Sequence, residues 1–355
     1  MGGTQDNGTN AAAFGNLHTH NIFSGDGFGC TWHNSDHSIQ FLSWQSGIIR
    51  RQSGVFFEIN GQDNGFWNTR LKMPNGLDYL FVIKEDRKLI RGNRIFFPHD
   101  WSWYETGSQS ISNLDLNDFE LASDNVNKAY VAYADTLGVT TNLFSVPATW
   151  TTLNDPEPDL YYTELAVDNS NSNRIWVVCG GYTADKKVYS SSDGGITWAN
   201  ISYNLPNVPI RSILRIDNSN DKIYVGTEIG VFYKDDTMTQ WIYFSNQLPA
   251  TIISELKADN NYIYAATFGR GIWRSPLYSA CPQDIVHTSA NNPYSIYSPG
   301  TQFHSASNTI TTSRAFMGSN NTNINYSVGN YVEFLEGFEA KINTFIEAKT
   351  NGCPD

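Results

Sequence analysis

Short apolar runs, broken by turns rich in Gly, Asn, Asp and Ser, cover almost the whole chain. The clearest group of four lies at 163–167, 174–179, 187–190 and 198–202, and a second at 212–216, 222–226, 231–234 and 241–244. In both, Asp-Asn-Ser-Asn (168–171 and 217–220) leads from the first run to the second, as residues that readily turn the backbone should. Earlier runs fall at 30–32, 38–44, 47–51 and 55–59, then 79–83, then 119–122, 129–133 and 142–144. A last group, at 253–258, 262–266 and 272–275, lacks a fourth run. Residues 1–25 read as part of a unit whose first strand is missing. Apolar positions nowhere recur at helical spacing, so the pattern predicts short strands throughout.

An aromatic beat runs through these groups. Phe56, Trp103, Trp150, Trp198 and Trp241 stand 47, 47, 48 and 43 residues apart. A period in the 40s with four strands per unit predicts a β-propeller, here of six to seven four-stranded blades and incomplete at the N-terminus. Ahead of Trp198 stands Ser191-Ser192-Asp193-Gly194-Gly195-Ile196-Thr197, where glycine supplies the positive φ of a tight turn. Ser191, Asp193, Gly195, Thr197 and Trp198 together resemble the Asp box of sialidase-like propellers. That resemblance implies a structural fastener away from the active face, with Asp193 a staple. Arg51-Gln52-Ser53-Gly54, Pro98-His99-Asp100, Ser145-Val146-Pro147 and Lys234-Asp235-Asp236 read as decayed copies.

The beat stops near Tyr278, which divides the chain into a propeller at 1–278 and a small β-stack domain at 279–355. Glu336-Gly337-Phe338-Glu339-Ala340 and Asn343-Thr344-Phe345-Ile346-Glu347-Ala348 resemble the three-coathanger-stack module near the C-termini of secreted bacterial proteins. The resemblance implies stacked Phe and Ala core positions and no chemistry. Cys281 and Cys353 bracket this tail, and a disulfide between them would close it in an oxidising compartment. Cys30 and Cys179 fall in different blades and read as separate buried thiols.

Composition narrows the classes. Net charge is −12 and there is no basic run, which excludes nucleic acid and anionic membrane as partners. No apolar run approaches the roughly 18–20 residues of a spanning helix. Charged residues make up only 16%, and the abundant Asn, Ser and Thr suit a protein that is secreted or held at the outer cell surface, as a monomer. Met1-Gly2-Gly3-Thr4 has neither the charged nor the apolar segment of a signal peptide, so the chain reads as a piece of a longer secreted protein.

Candidate chemistry gathers where the second-to-third and fourth-to-first connections of each blade would meet, on the face opposite Asp193. Asp6, Asp26, Asp63, Glu228 and Arg270 are placed there. Two carboxylates across such a mouth could serve as general acid and base on a glycosidic bond. The turns around Asp6 and Asp26 resemble those of tandem-propeller glycosidases that cut xyloglucan, which would make these two the catalytic pair. A sialidase needs three converging arginines, and only Arg270 sits at a suitable turn. His18, His20, His33 and His37 cluster early, but no third ligand is fixed by spacing, so neither a metal nor another cofactor is expected. The favoured reading is non-enzymatic binding of a glycan, such as a polysaccharide, or a cell-surface protein. Its rivals are a β-glucan hydrolase using Asp6 and Asp26 and an architectural module of a larger secreted enzyme or adhesin.

Overall fold

The computed structural model describes residues 2–4, 8–11, 20–23, 27–33, 38–44, 47–52, 55–59, 70–74, 77–84, 88–96, 100–217, 219–245, 248–259, 261–278, 284–287, 300–306, 309–312, 315–316, 322–328, 331–335, 339–340 and 344–349. Two compact units emerge, one of 1–243 with 248–276 and one of 244–247 with 277–355.

In the first unit every sheet is an antiparallel meander in chain order. Blade 1 holds β1 (Gly2–Thr4), β2 (Gly8–Ala11) and β3 (His20–Phe23). Blade 2 holds β4 (Gly27–Trp32), β5 (Ile39–Trp44), β6 (Gly47–Gln52) and β7 (Val55–Glu58). Blade 3 holds β8 (Leu71–Lys72), β9 (Tyr79–Lys84), β10 (Lys88–Phe96) and β11 (Asp100–Glu105). Blade 4 holds β12 (Leu116–Leu121), β13 (Ala129–Tyr133), β14 (Leu137–Thr140) and β15 (Thr151–Thr152). Blade 5 holds β16 (Tyr162–Val167), β17 (Ile175–Cys179), β18 (Val188–Ser191) and β19 (Ala199–Asn200). Blade 6 holds β20 (Ile210–Arg215), β21 (Ile223–Thr227), β22 (Val231–Lys234) and β23 (Ile242–Tyr243). Blade 7 holds β24 (Ile253–Ala258), β25 (Tyr262–Thr267) and β26 (Gly271–Pro276). The described residues contain no α-helix, only a 3-10 turn at Ser108–Ser110. The fold is an all-β propeller followed by a small β-stack.

The core lies between blades. β17 is buried at every position because a blade covers each of its faces. Ile175, Val177 and Cys179 pack against Tyr130, Ala132 and Leu165 on one side. Trp176 and Val178 pack against Ile213, Val225 and Phe232 on the other. A strand sandwiched in this way reads as a continuous apolar run. Burying each such large side chain contributes about 1.5–3 kcal/mol. Cys179 is buried as expected, whereas Cys30 is only half-buried; desolvation pushes the Cys30 thiol up to about 11 and the Cys179 thiol up to about 12.

Two expectations change here. The third strand of blade 4 is Leu137–Thr140, not 142–144. Gly138 looks like a breaker in sequence, but a Cβ there would lie 2.2 Å from Ile111 Cδ1. Glycine is what lets the chain pass. Asn142 instead closes the following turn, its Oδ1 accepting from Thr149 N at 2.9 Å. Trp150, Trp198 and Trp241 directly precede the outer strands β15, β19 and β23. Each indole N–H donates to a carbonyl in the connection that precedes its blade or in the neighbouring blade: Thr106 O (2.9 Å), Asn154 O (2.8 Å) and Ile201 O (2.8 Å). Trp103 breaks the series by lying inside β11, stacked on Trp101 with ring centroids 6.0 Å apart.

Among the described residues the ladders of the second unit are all parallel. β27 (Asp284–His287) pairs with β29 (Thr309–Thr312), which pairs with β32 (Tyr331–Phe334). β28 (Gly300–Ala306), β31 (Thr322–Val328) and β34 (Thr344–Lys349) form a second ladder, starting 22 residues apart each time. β30 (Ala315–Phe316) pairs with β33 (Glu339–Ala340). Ala306, Ile310 and Tyr326 form its core, with Val332 and Ile346 against them. Ile346 joins that packing, whereas Ala348, expected in the core, is exposed. Cys281 and Cys353 lie outside the described residues.

Candidate functional site

The first strands build the wall around the axis. A β-bulge in β12, β16, β20 and β24 precedes Asp118, Glu164, Ser212 and Glu255, which occupy the same place in their blades. Three of these side chains reach the next blade. Asp118 Oδ2 accepts from Leu165 N at 3.0 Å, Glu164 Oε2 from Ile213 N at 2.7 Å, and Ser212 Oγ from Leu256 N at 3.0 Å. The bulged residues fasten backbone too: Asn117 Nδ2 donates to Tyr162 O (2.6 Å) and Thr163 Oγ1 to Ile210 O (2.7 Å).

Cations complete the wall. Arg70 donates to Glu164 Oε1 at 2.5 Å and lies 3.3 Å from Asp118 Oδ1. Lys72 Nζ donates to Asp118 Oδ1 (3.2 Å), Phe119 O (2.6 Å) and Glu120 Oε1 (2.5 Å). Burial opposes ionisation of Asp118, but Lys72, Arg70 and the Leu165 N–H outweigh it and hold the carboxyl below its ordinary value. Burial dominates at Glu120 and pushes it up, with Lys72 pulling the other way. Glu255 and Lys257 form a pair at 3.2 Å in blade 7. Arg70 and Lys72 act electrostatically on Glu255, and Glu120 and Glu164 on Lys257, so blades 3, 4, 5 and 7 face one lumen. These charges neutralise one another and fasten the wall.

Glu228 lies between β21 and β22 and Arg270 between β25 and β26, both second-to-third connections; Asp193 lies between β18 and β19, a third-to-fourth connection. In a meander these connections emerge on opposite faces, so Glu228 and Arg270 share a mouth away from Asp193. Arg211, the bulged residue of β20, donates from Nη2 to Glu228 Oε1 at 2.6 Å. Tyr182 OH donates to Glu228 Oε2 at 2.7 Å from the eight-residue connection 180–187 of blade 5. The bonds from Arg211 and then Tyr182 hold Glu228 below the usual carboxylate range, and the bond to Glu228 raises the Tyr182 phenol.

The Glu228 side chain is 19% exposed and that of Arg211 48%. Tyr182 is 64% exposed and Phe268 76%, and Tyr161 shows half its surface at the start of β16. Arg270 is exposed, its carbonyl accepting from Trp273 Nε1 at 3.0 Å, and no ion pair joins it to Glu228. Asp6, Asp26 and Asp63 lie outside the described residues, as do His18 and His37. His33 Nε2 sits 2.5 Å from Asp78 Oδ1. Among the described residues no group of three potential ligands could hold a metal.

Arg211 is absent from the residues that the sequence places at the mouth, because it falls within a strand-like run. At the same bulge, blades 4, 5 and 7 carry Asn117, Thr163 and Ser254, all short and tied to backbone. A long cation in a series of short polar side chains was the available signal.

On the other face the 191–198 turn is self-contained. Asp193 Oδ1 accepts from Ser191 Oγ (2.8 Å), Ile196 N (3.1 Å) and Thr197 N (2.9 Å), and Oδ2 from Thr197 Oγ1 (2.6 Å). The bonds from Thr197 above all bring its carboxyl down to about 2. Gly194 and Gly195 carry φ of 78° and 90°, which bulkier residues avoid. Blade 6 keeps the core of this device: Asp235 Oδ1 accepts from Thr237 N and Oγ1 at 3.0 and 2.6 Å.

No family model and no curated protein matches the chain. Solved structures do. The extracellular domain of a protein described as a one component system from B. thetaiotaomicron superposes with TM-score 0.55 at 15% identity, over 74% of this chain and 35% of that one. The extracellular domain of a second B. thetaiotaomicron protein, described as a hybrid two component system, gives 0.53 at 12%, over 71% and 33%. A GH74 enzyme from Niastella koreensis gives 0.54 at 15%, over 72% and 37%. The chain spans about a third of the length of these proteins. At such identities the likeness is one of fold.

Proposed function

We propose that this chain is an extracellular recognition module that binds a neutral carbohydrate, without cleaving it, at the mouth formed by blades 5, 6 and 7. Arg211 carries the reading. Where other blades use the bulge to fasten backbone, blade 6 spends it on a guanidinium held by Glu228 and facing solvent. One N–H is engaged by Glu228, which leaves others for the hydroxyls of a sugar. Tyr161, Tyr182 and Phe268 offer exposed rings for its apolar faces. Because Glu228 stays ionised, it accepts hydrogen bonds well and donates none, which suits binding better than general acid catalysis. It also cancels the charge of Arg211, so the site does not favour an acidic ligand.

The 191–198 turn acts as an Asp-box staple, the tail as a three-coathanger-stack module, and the protein works outside the cell. The extracellular domains and the GH74 enzyme among its structural neighbours support that setting at the level of fold. Titration calorimetry with neutral β-glucan oligosaccharides tests the reading. Wild type should bind, and Arg211→Ala and Glu228→Gln should each weaken binding about tenfold, equivalent to about 1.4 kcal/mol. Absent binding, or undiminished affinity in Arg211→Ala, overturns it. Release of reducing ends would shift the assignment to a hydrolase, with Asp6 and Asp26 the first acids to replace.

A further inference from the structure

On the face that carries Asp193, two successive blade junctions are built from the same positions but differ in charge. Lys128 and Arg174 directly precede the second strands β13 and β17, and their carbonyls accept from Ala122 N and Asp168 N, at 3.0 Å in each case. Asn173 and Asp221 stand two residues ahead of β17 and β21. Between blades 5 and 6, Arg174 pairs with Asp168 at 2.8 Å and with Asp221. Between blades 4 and 5 the cation is kept and both carboxylates are gone. Ala122 holds the place of Asp168, and Asn173 that of Asp221.

Lys128 is nevertheless only 8% exposed. Its Nζ donates to Ser172 O at 3.1 Å and to Asn173 Oδ1 at 2.7 Å, and lies 5.2 Å from the centre of the Tyr130 ring. These partners are neutral, and among the described residues no carboxylate pairs with it. Asp124 acts on it electrostatically, but Asp124 Oδ2 is engaged by Ser172 N at 2.9 Å. Desolvation outweighs that attraction and holds the ammonium below its ordinary value. A buried lysine is almost never left without a counter-ion. An ammonium has three donors, and two of them are taken here.

Lys128 and Asn173 line a cleft of about 320 Å³ between these blades, at the low end of the range for small-molecule sites. The exposed Thr151 and Thr152 of β15 line it too, with Leu153 and Ile196 as its apolar part. Asp193 borders it with both oxygens bonded inside its own turn. We propose that this cleft is a second binding site, which takes a small hydroxylated carboxylic acid of the uronate class with its carboxylate on Lys128. The threonine hydroxyls would meet those of the ligand, and Leu153 and Ile196 its apolar face. The mouth would then hold a neutral sugar and the opposite face an acidic one.

Ligand-detected NMR on the full chain, with sodium glucuronate as probe, tests this. Wild type should bind glucuronate at millimolar concentration, and glucose should not displace it. Asn173→Asp restores the carboxylate that Arg174 has at the next junction, so it should satisfy Lys128 internally and weaken binding at least about tenfold. Its Oδ1 can keep the bond to Lys128, so this variant should fold even where the neutral Lys128→Met, expected to lose binding equally, does not. Arg211→Ala, which alters only the mouth, should leave glucuronate affinity unchanged. Four results overturn the proposal: no binding by wild type, full affinity in Asn173→Asp, displacement by glucose, or loss of binding in Arg211→Ala.

Discussion

The wall of the lumen and the mouth above it use the same side chains to opposite ends. On the wall, Asp118 and Glu164 reach from one blade to a backbone N–H of the next and are gripped by Arg70 and Lys72. At the mouth, Glu228 also ties two blades together, but its partners are side chains, Arg211 and Tyr182. A wall acid is consumed by the fold, since every oxygen has an internal partner and little water reaches it. Glu228 orients groups that remain in water and still have donors and a ring face to offer. Asp193 is a third case, a carboxylate satisfied wholly within its own turn. What separates fastening from recognition is thus where the partners' remaining valences point.

The hardest test of this contrast is Asp118→Ala. It removes the one fully buried carboxylate that Lys72 and Arg70 share and leaves the Leu165 N–H without its acceptor, and should cost about 3–5 kcal/mol in urea unfolding. A loss below about 1 kcal/mol, the size of an ordinary surface pair, would erase the distinction.

Next comes the shared bulge position. Thr163→Ala removes a hydroxyl that donates to Ile210 O at 2.7 Å, and should destabilise by about 1 kcal/mol while leaving glycan affinity unchanged. Arg211→Ala should do the reverse, losing affinity with stability held within about 0.5 kcal/mol. Equal stability losses in the two would place Arg211 among the fasteners.

The smallest effect is one of pH. Glu228 and Asp193 both have folded values below their unfolded ones, so each contribution is complete above the unfolded value, about 4. Each fades as pH falls through the folded value, near 2 for Asp193. Binding should therefore be level from pH 7 to about 5 and fall only below the ordinary carboxylate range. Asp193→Asn should lower the melting temperature slightly above that range and leave binding untouched. Affinity lost between pH 7 and 5 would mean that a group other than Glu228 governs the mouth.

Blades 5 and 6 were legible because their signals are local. A two-sided buried strand must be apolar at every position, and turns such as 168–171 and 191–198 satisfy their own backbone groups with nearby side chains. Blade 4 was misread at its third strand because Gly138 answers to Ile111, which sequence distance hides. In blade 3 the long β10 and the stacked Trp101 and Trp103 override the spacing of the aromatic beat. The tail was legible as a β module, but not as a set of parallel ladders, since parallel register joins residues about 22 apart that share no pattern with their neighbours.

By itself the sequence determined the all-β character, the four-stranded repeat and the self-contained turn at Asp193, because hydrophobic alternation and turn chemistry act over a few residues. It also placed Glu228 and Arg270 at second-to-third connections, since strand count alone decides the face of a meander. Only the tertiary structure decided which charges meet. Arg70 finds Asp118 and Glu164 across 48 and 94 positions of chain, and Arg211 turns from strand to mouth because a bulge rotates its side chain outward. Coulombic and hydrogen-bond partners are chosen by distance in space, and in a propeller that distance is set by how the blades close around the axis.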